Sequence, residues 1–243
     1  MTTRKIACLA FLAASSAFAQ LTSAVGTLQG SVTDRQGRPL AGAEVTYRQL
    51  VPVLSTATAH VPSGPVAQGQ AVANASGEFL VAGLPSGDYV LCARVPSAPY
   101  LDPCVWQQPL QATVPAGGNT AQNVTLTKGV FLKVRVNDSM GLLPQVVDGP
   151  WTPRKLIVGV KYARGAYQGA QDVSVDAKGH DYQLVIPAGE PFTLWLFSRD
   201  VALIDTGGKA VDISASQIAF HAAAGQDQAF TFTVSGPVSQ APQ

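Results

Sequence analysis

The chain has 243 residues, of which 47% are hydrophobic and only 13% charged, with a net charge of +1. That balance excludes disorder driven by charge repulsion, and it excludes the basic stripe that nucleic acid or anionic lipid would require. Glycine (23) and proline (17) make up about a sixth of the chain against a usual eighth or so, which predicts many turns.

At the N-terminus Arg4 and Lys5 precede an almost wholly apolar stretch, 6–18. Ala17-Phe18-Ala19 then follows the small-x-small pattern read by signal peptidase, predicting a signal peptide over 1–19 and cleavage before Gln20. The apolar run of about 13 residues falls short of the roughly 20 that a membrane-spanning helix needs. Cys8 leaves with it. Removing Arg4 and Lys5 from 16 basic residues against 15 acidic ones leaves the remainder near neutral. This reading predicts a soluble, exported protein, periplasmic or extracellular, with no membrane span in the mature chain.

Period-2 runs follow in chain order at 27–33, 43–49, 78–84, 88–95, 122–127, 130–137, 155–162, 172–176, 182–186, 192–197, 211–215 and 229–234. They are rich in Val, Thr, Phe, Tyr and Leu, and Gly, Pro, Asn or Asp separates them. No stretch combines helical apolar spacing with caps. The pattern predicts an all-β chain of antiparallel β-sandwiches.

Two blocks recur. "LQGSVTDRQG" (28–37) is echoed by "LKVRVNDSMG" (132–141), and "ASGEFLVAGLPSGDYVL" (75–91) by "AKGHDYQLVIPAGEPFTL" (177–194). Asp34 and Asp138 stand 104 positions apart, as do Gly37 and Gly141, while Pro85–Pro187 and Gly87–Gly189 are separated by 102. Near-constant offsets in two separate motifs predict tandem β-domains, 20–128 and 129–236, meeting near Lys128-Gly129, with a disordered tail at 237–243. The first copy carries an insertion at about 51–73, and the second a longer segment at 142–154.

Gly30, Val32, Asp34, Gly37, Pro39, Leu40, Gly42, Ala43 and Val45 form one block, and Gly77, Phe79, Leu84, Pro85, Gly87 and Tyr89 another. Over about 26–96 these resemble the carboxypeptidase regulatory-like domain, a transthyretin-like β-sandwich. The second copy lacks the Gly-Ala-x-Val of the first block. The resemblance implies a non-catalytic module from a group of carbohydrate-binding-like folds, which accompanies peptidases, outer-membrane receptors and surface proteins. The family is also similar to adhesin repeats with Lys–Asn cross-links, but the opening strand here has no Lys, so that bond is not expected.

Candidate site residues divide into three groups. Cys92 and Cys104, an even pair in an oxidising compartment, predict a disulfide that stabilises by about 3 kcal/mol. Asp34 and Asp138 could ligate calcium, but "DRQGRP" has one acid where a calcium loop needs several. Each is expected instead to close a turn that Gly37 or Gly141 completes. Tyr100, Trp106, Trp151 and Tyr167 lie in turn-rich segments, where flat rings can stack on sugars. The plain alternative is that Trp106 packs on the disulfide and Trp151 covers the domain junction.

His60, His180 and His221 have no metal-type partner at i+2 or i+4. Nucleophile-elbow, zinc-protease and phosphate-loop motifs are absent from the sequence. Asn74, Asn123 and Asn137 each open a glycosylation-type triplet, a pattern common by chance. No catalytic residue, metal or cofactor is expected. The sequence thus predicts an exported, non-enzymatic protein with a structural or interaction role at the envelope or outside the cell. Its partner would be a protein or a polysaccharide, and the second reading is a carbohydrate-binding protein.

Overall fold

The computed structural model describes residues 24–50, 66–144, 156–162, 167–211 and 217–238. The leader, most of the first-copy insertion, His60 and Trp151 lie outside the described residues. Among those described, nearly every element is a strand, so the all-β expectation holds.

The first half runs β1 (Gly26–Asp34), β2 (Glu44–Gln49), β3 (Gln68–Val72), β4 (Glu78–Leu84), β5 (Gly87–Arg94), β6 (Tyr100–Leu101), α1 (Pro103–Trp106), β7 (Leu110–Val114), β8 (Asn119–Ala121) and β9 (Val124–Lys128). The second half runs β10 (Val130–Asn137), β11 (Leu156–Tyr162), β12 (Tyr167–Gly169), β13 (Gln171–Asp176), β14 (Gly179–Ile186), β15 (Pro191–Ser198), β16 (Val201–Asp205), β17 (Ala210–Val211), β18 (Gln217–His221) and β19 (Gln228–Pro237).

Each half is two sheets, and the sheets follow one plan. In the first half the orders are β4-β1-β9-β6, with β8 also on β1, and β3-β2-β5-β7. In the second they are β13-β14-β10-β19-β16-β17 and β12-β11-β15-β18. β4-β1-β9 therefore matches β14-β10-β19, and the second sheets match strand for strand. Hairpin pairs are antiparallel, but the opening and closing strands of each half run parallel: Val32 is opposite Val124, and Val134 is opposite Phe230. Period-2 alternation predicts which face is buried, not strand direction, so this parallel closure could not be read from the runs.

Alternation sets the cores. Leu28, Val32, Val45, Tyr89, Leu91 and Leu126 pack together in the first half. Leu132, Ile186, Leu194, Leu196, Leu203 and Phe232 do so in the second. The two clusters share no buried residue, and only Gly129 separates β9 from β10. At the far end β19 continues through Pro237, paired with Val201, and the Val238 N–H donates to the Asp200 carbonyl. Pro237 and Val238, expected in the tail, are thus tied to the sheet, and 239–243 lie outside the described residues.

The two Asp corners fold alike but are bonded differently. Asp34, 3% exposed, accepts the Gln36 and Arg38 N–H groups on Oδ1 (2.9 and 3.0 Å) and the Arg38 Nε on Oδ2 at 2.6 Å. Gly37, at φ 75°, supplies the backbone conformation that brings its N–H back to the Asp34 carbonyl. Asp138, 1% exposed, uses Oδ2 to accept the Leu143 N–H at 2.6 Å. Its Oδ1 has no hydrogen-bond partner among the described residues, since Leu142 stands where Arg38 does in the first corner. Gly141 repeats the positive φ at 64°.

Burial pushes the Asp34 carboxyl up, but the two amides and the Arg38 guanidinium outweigh it and hold it below its ordinary value of 3.8. Its contribution to stability is therefore complete above that unfolded value and is lost as pH falls from there through the lower folded one. Asp34→Asn keeps an oxygen for the amides but loses the charge. It should unfold at lower urea at neutral pH, and its urea midpoint should fall less steeply than wild type below about pH 4.

Candidate functional site: the cleft between the sandwiches

The segment after β5 crosses from one half to the other. Asp102 has extended backbone and accepts the Cys104 N–H on Oδ1 at 2.8 Å, and Pro103 takes the first helical position. An Asp cap followed by proline favours the single turn of α1. Burial raises the Asp102 carboxyl pKa, opposed by the Cys104 and Ala93 amides and the Arg94 charge.

Cys92 lies on β5 between the inward-facing Leu91 and Ala93, so its sulfur points off the outer face. There it is bonded to Cys104, with the two Cα atoms 5.3 Å apart. The predicted disulfide is present, and it clamps α1 against its own sheet. Among the described residues, only Cys92, Asp102 and Cys104 group closely enough to hold a metal, and both sulfurs are committed to the bond.

Clamping α1 aims Trp106 away from its own sheet. The ring meets Tyr162 at 5.3 Å and Phe192 edge-on at 6.2 Å, as part of the second half's core. The sequence reading placed this ring on the disulfide or over a sugar; the structure packs it, partly buried, against the core of the neighbouring sandwich. Around it, the Gly129 N–H donates to the Pro99 carbonyl at 2.6 Å and Leu101 is buried against the linker. Arg94 reaches across to Gln171 at 3.5 Å.

Beside this contact lies a cleft of about 300 Å³ with walls from both halves. Tyr100, Asp102 and Trp106 come from the first, and Phe131, Gln168 and Gln183 from the second. The Arg94–Glu44 ion pair, 2.6 Å long, closes one side. Tyr100 and Trp106 are thus brought together, while Tyr167 stands edge-on to Trp195 at 4.7 Å on its own sheet and does not line the cleft. Neither Asp34 nor Asp138 lines it. Gln168 and Gln183 carried no sequence signal, because an isolated glutamine on a strand reads as a solvated position.

Other candidates are absorbed by the fold. His180 is buried and stacked on Tyr182 at 6.1 Å. Asn74 closes a turn by accepting the Ser76 and Glu78 N–H groups, and Asn123 accepts from the Ser31 backbone and hydroxyl. A broader depression over Tyr47, Arg48 and Val90 runs between Leu50 and Val66, the two ends of a segment outside the described residues.

No protein-family model matches the chain, and no curated protein is a significant match. Solved structures share distant likeness. A streptococcal ancillary pilin is 13% identical with a TM-score of 0.38, over 88% of this chain and 64% of that one. GBS52, the minor pilin of Streptococcus agalactiae, is 11% identical with a TM-score of 0.34, over 90% and 99%. The Bacillus anthracis TIE protein is 12% identical with a TM-score of 0.33, and the chain spans 34% of its length. Likeness this distant does not bear on function.

The linker leaves no room for a side chain. A Cβ on Gly129 would stand 2.5 Å from the Ile186 carbonyl oxygen and 2.9 Å from Leu101. Because a backbone atom is the nearer obstacle, Gly129→Ala should destabilise by about 1–3 kcal/mol in urea unfolding.

Proposed function

We propose that the chain is an exported, non-catalytic β-sandwich protein with a structural or interaction role at the cell envelope or outside the cell. The single observation that carries this is the disulfide-clamped turn, which packs Trp106 against the second core. Structural disulfides persist where the compartment is oxidising, and the leader-like N-terminus points the same way. A one-residue linker with an aromatic packed across it suits a protein that presents a fixed surface or carries load. The first sandwich is read as a carboxypeptidase regulatory-like module, supported by the blocks around Asp34 and Gly87, in which Gly37, Gly42, Gly77 and Gly87 take positive φ.

The non-catalytic reading rests on how the polar groups are spent. The most deeply set carboxylates, Asp34, Asp102 and Asp138, each accept a backbone N–H within their own turn. No described histidine is placed beside a nucleophile within the cleft. A second reading, saccharide binding, is favoured by the mixed aromatic and amide walls of that cleft.

Expression of the full chain in a host with a secretory pathway tests the main reading. The exported product should begin at Gln20, label with no thiol reagent until reduced, and then label at two cysteines. It should turn over no substrate in broad peptidase and glycosidase panels. An unprocessed chain with free thiols, or turnover in either panel, would overturn the proposal.

A further inference from the structure

The cleft walls carry unused hydrogen-bonding capacity. Gln168, Gln183 and Tyr100 line it, and among the described residues their side chains make no hydrogen bond to another side chain. An amide both donates and accepts, as does a phenol, so the three together match a ligand whose groups do the same. Hydroxyls have that property; phosphates and carboxylates, which only accept, do not.

Charge argues in the same direction. Among the described residues Arg94 is the one cation lining the cleft, and it is already paired with Glu44 and close to Asp102. An anion entering would find no unspent positive charge on those walls and would face the Asp102 carboxylate. Asp102 in turn is held by the Cys104 amide and by its own burial, which leaves little to attract a free cation.

The third component is aromatic. Tyr100, Trp106 and Phe131 border the same space, and Trp106 is held by contacts to Tyr162 and Phe192. Fixed rings offer apolar area without the entropy cost of ordering a loose side chain. Rings for C–H faces and amides for hydroxyls, beside a cation already paired and a carboxylate already held by its own turn, define a site for a neutral sugar.

We propose that the cleft between the two sandwiches binds a neutral saccharide. About 300 Å³ lies at the bottom of the usual range for small-molecule sites, roughly 300–1,000 Å³, so the site takes a chain end or a single branch. Tyr100 and Trp106 provide one apolar wall and Phe131 another, while Gln168 and Gln183 select the hydroxyl pattern. Both halves supply the site, so it exists only while they are docked. This inference rests on the interaction side of the proposed function and supplies its ligand class.

The exported chain is applied to a printed array of neutral, sialylated and amino-sugar glycans, and each hit is titrated as the free oligosaccharide by tryptophan fluorescence. Neutral glycans should bind, and the double variant Gln168→Ala/Gln183→Ala should bind roughly tenfold more weakly, about the loss of one or two hydrogen bonds. Both glutamines are solvent-accessible and unbonded, so the variant should keep the wild-type unfolding midpoint. An array blank for neutral glycans, tighter binding of a charged class, or equal binding by the double variant would each overturn the proposal. A blank array with correct N-terminal processing and no free thiol would leave the export reading intact, so the two failures are distinguishable.

Discussion

The molecule's organisation depends on one ring held in a place its own sandwich does not require. Trp106 contributes nothing to the first half's core; it packs on Tyr162 and Phe192 in the second. A partly exposed ring at the end of a four-residue helix would ordinarily be mobile, because so short a helix is not stable alone. Three local devices fix it: the Asp102 cap, Pro103 at the first turn, and the Cys92–Cys104 bond to β5. Gly129 is the single covalent link between the halves, and without that restraint Leu101 and the Arg94–Gln171 contact would be its main support.

The duplicated plan explains why such a clamp is useful. Each sandwich closes on itself through a parallel pair between its first and last strands, so neither needs the other to complete a sheet. Two closed units joined by one glycine would share little buried surface. Stability within each half comes from alternating Val, Leu, Ile and aromatic side chains at roughly 25 cal/mol per Å² of apolar area buried. The ion pairs add little, since Arg38, Arg94 and Lys133 are half or more exposed. Coupling between the halves therefore falls to a small apolar contact and to the covalent bond that positions it.

Much of the fold was legible in the sequence, for physical reasons. β1, β4, β5, β10, β14 and β15 bury one face against a core, and that one-sided burial writes itself as alternation. The echo of Asp34–Gly37 at Asp138–Gly141 was readable because a buried turn-closing carboxylate and a positive-φ glycine tolerate few substitutes. β3, β6, β7, β8, β12, β16 and β18 were not anticipated. β3 shows why: QGQAV is exposed along nearly its whole length, so no burial imposes a pattern on it. The disulfide could be read from parity and compartment, but the direction in which it sends Trp106 depends on which face of β5 Cys92 occupies. The cleft was the least legible feature, since its walls meet only through tertiary docking of residues as far apart as Tyr100 and Gln183.

Calorimetric unfolding of the oxidised chain from Gln20, as wild type and as Trp106→Ala, tests the coupling most directly. The wild type should unfold in one cooperative transition. The variant should unfold in two, with the second sandwich melting at a lower Tm than the first. Two transitions in the wild type, or a single unshifted one in the variant, would contradict the account.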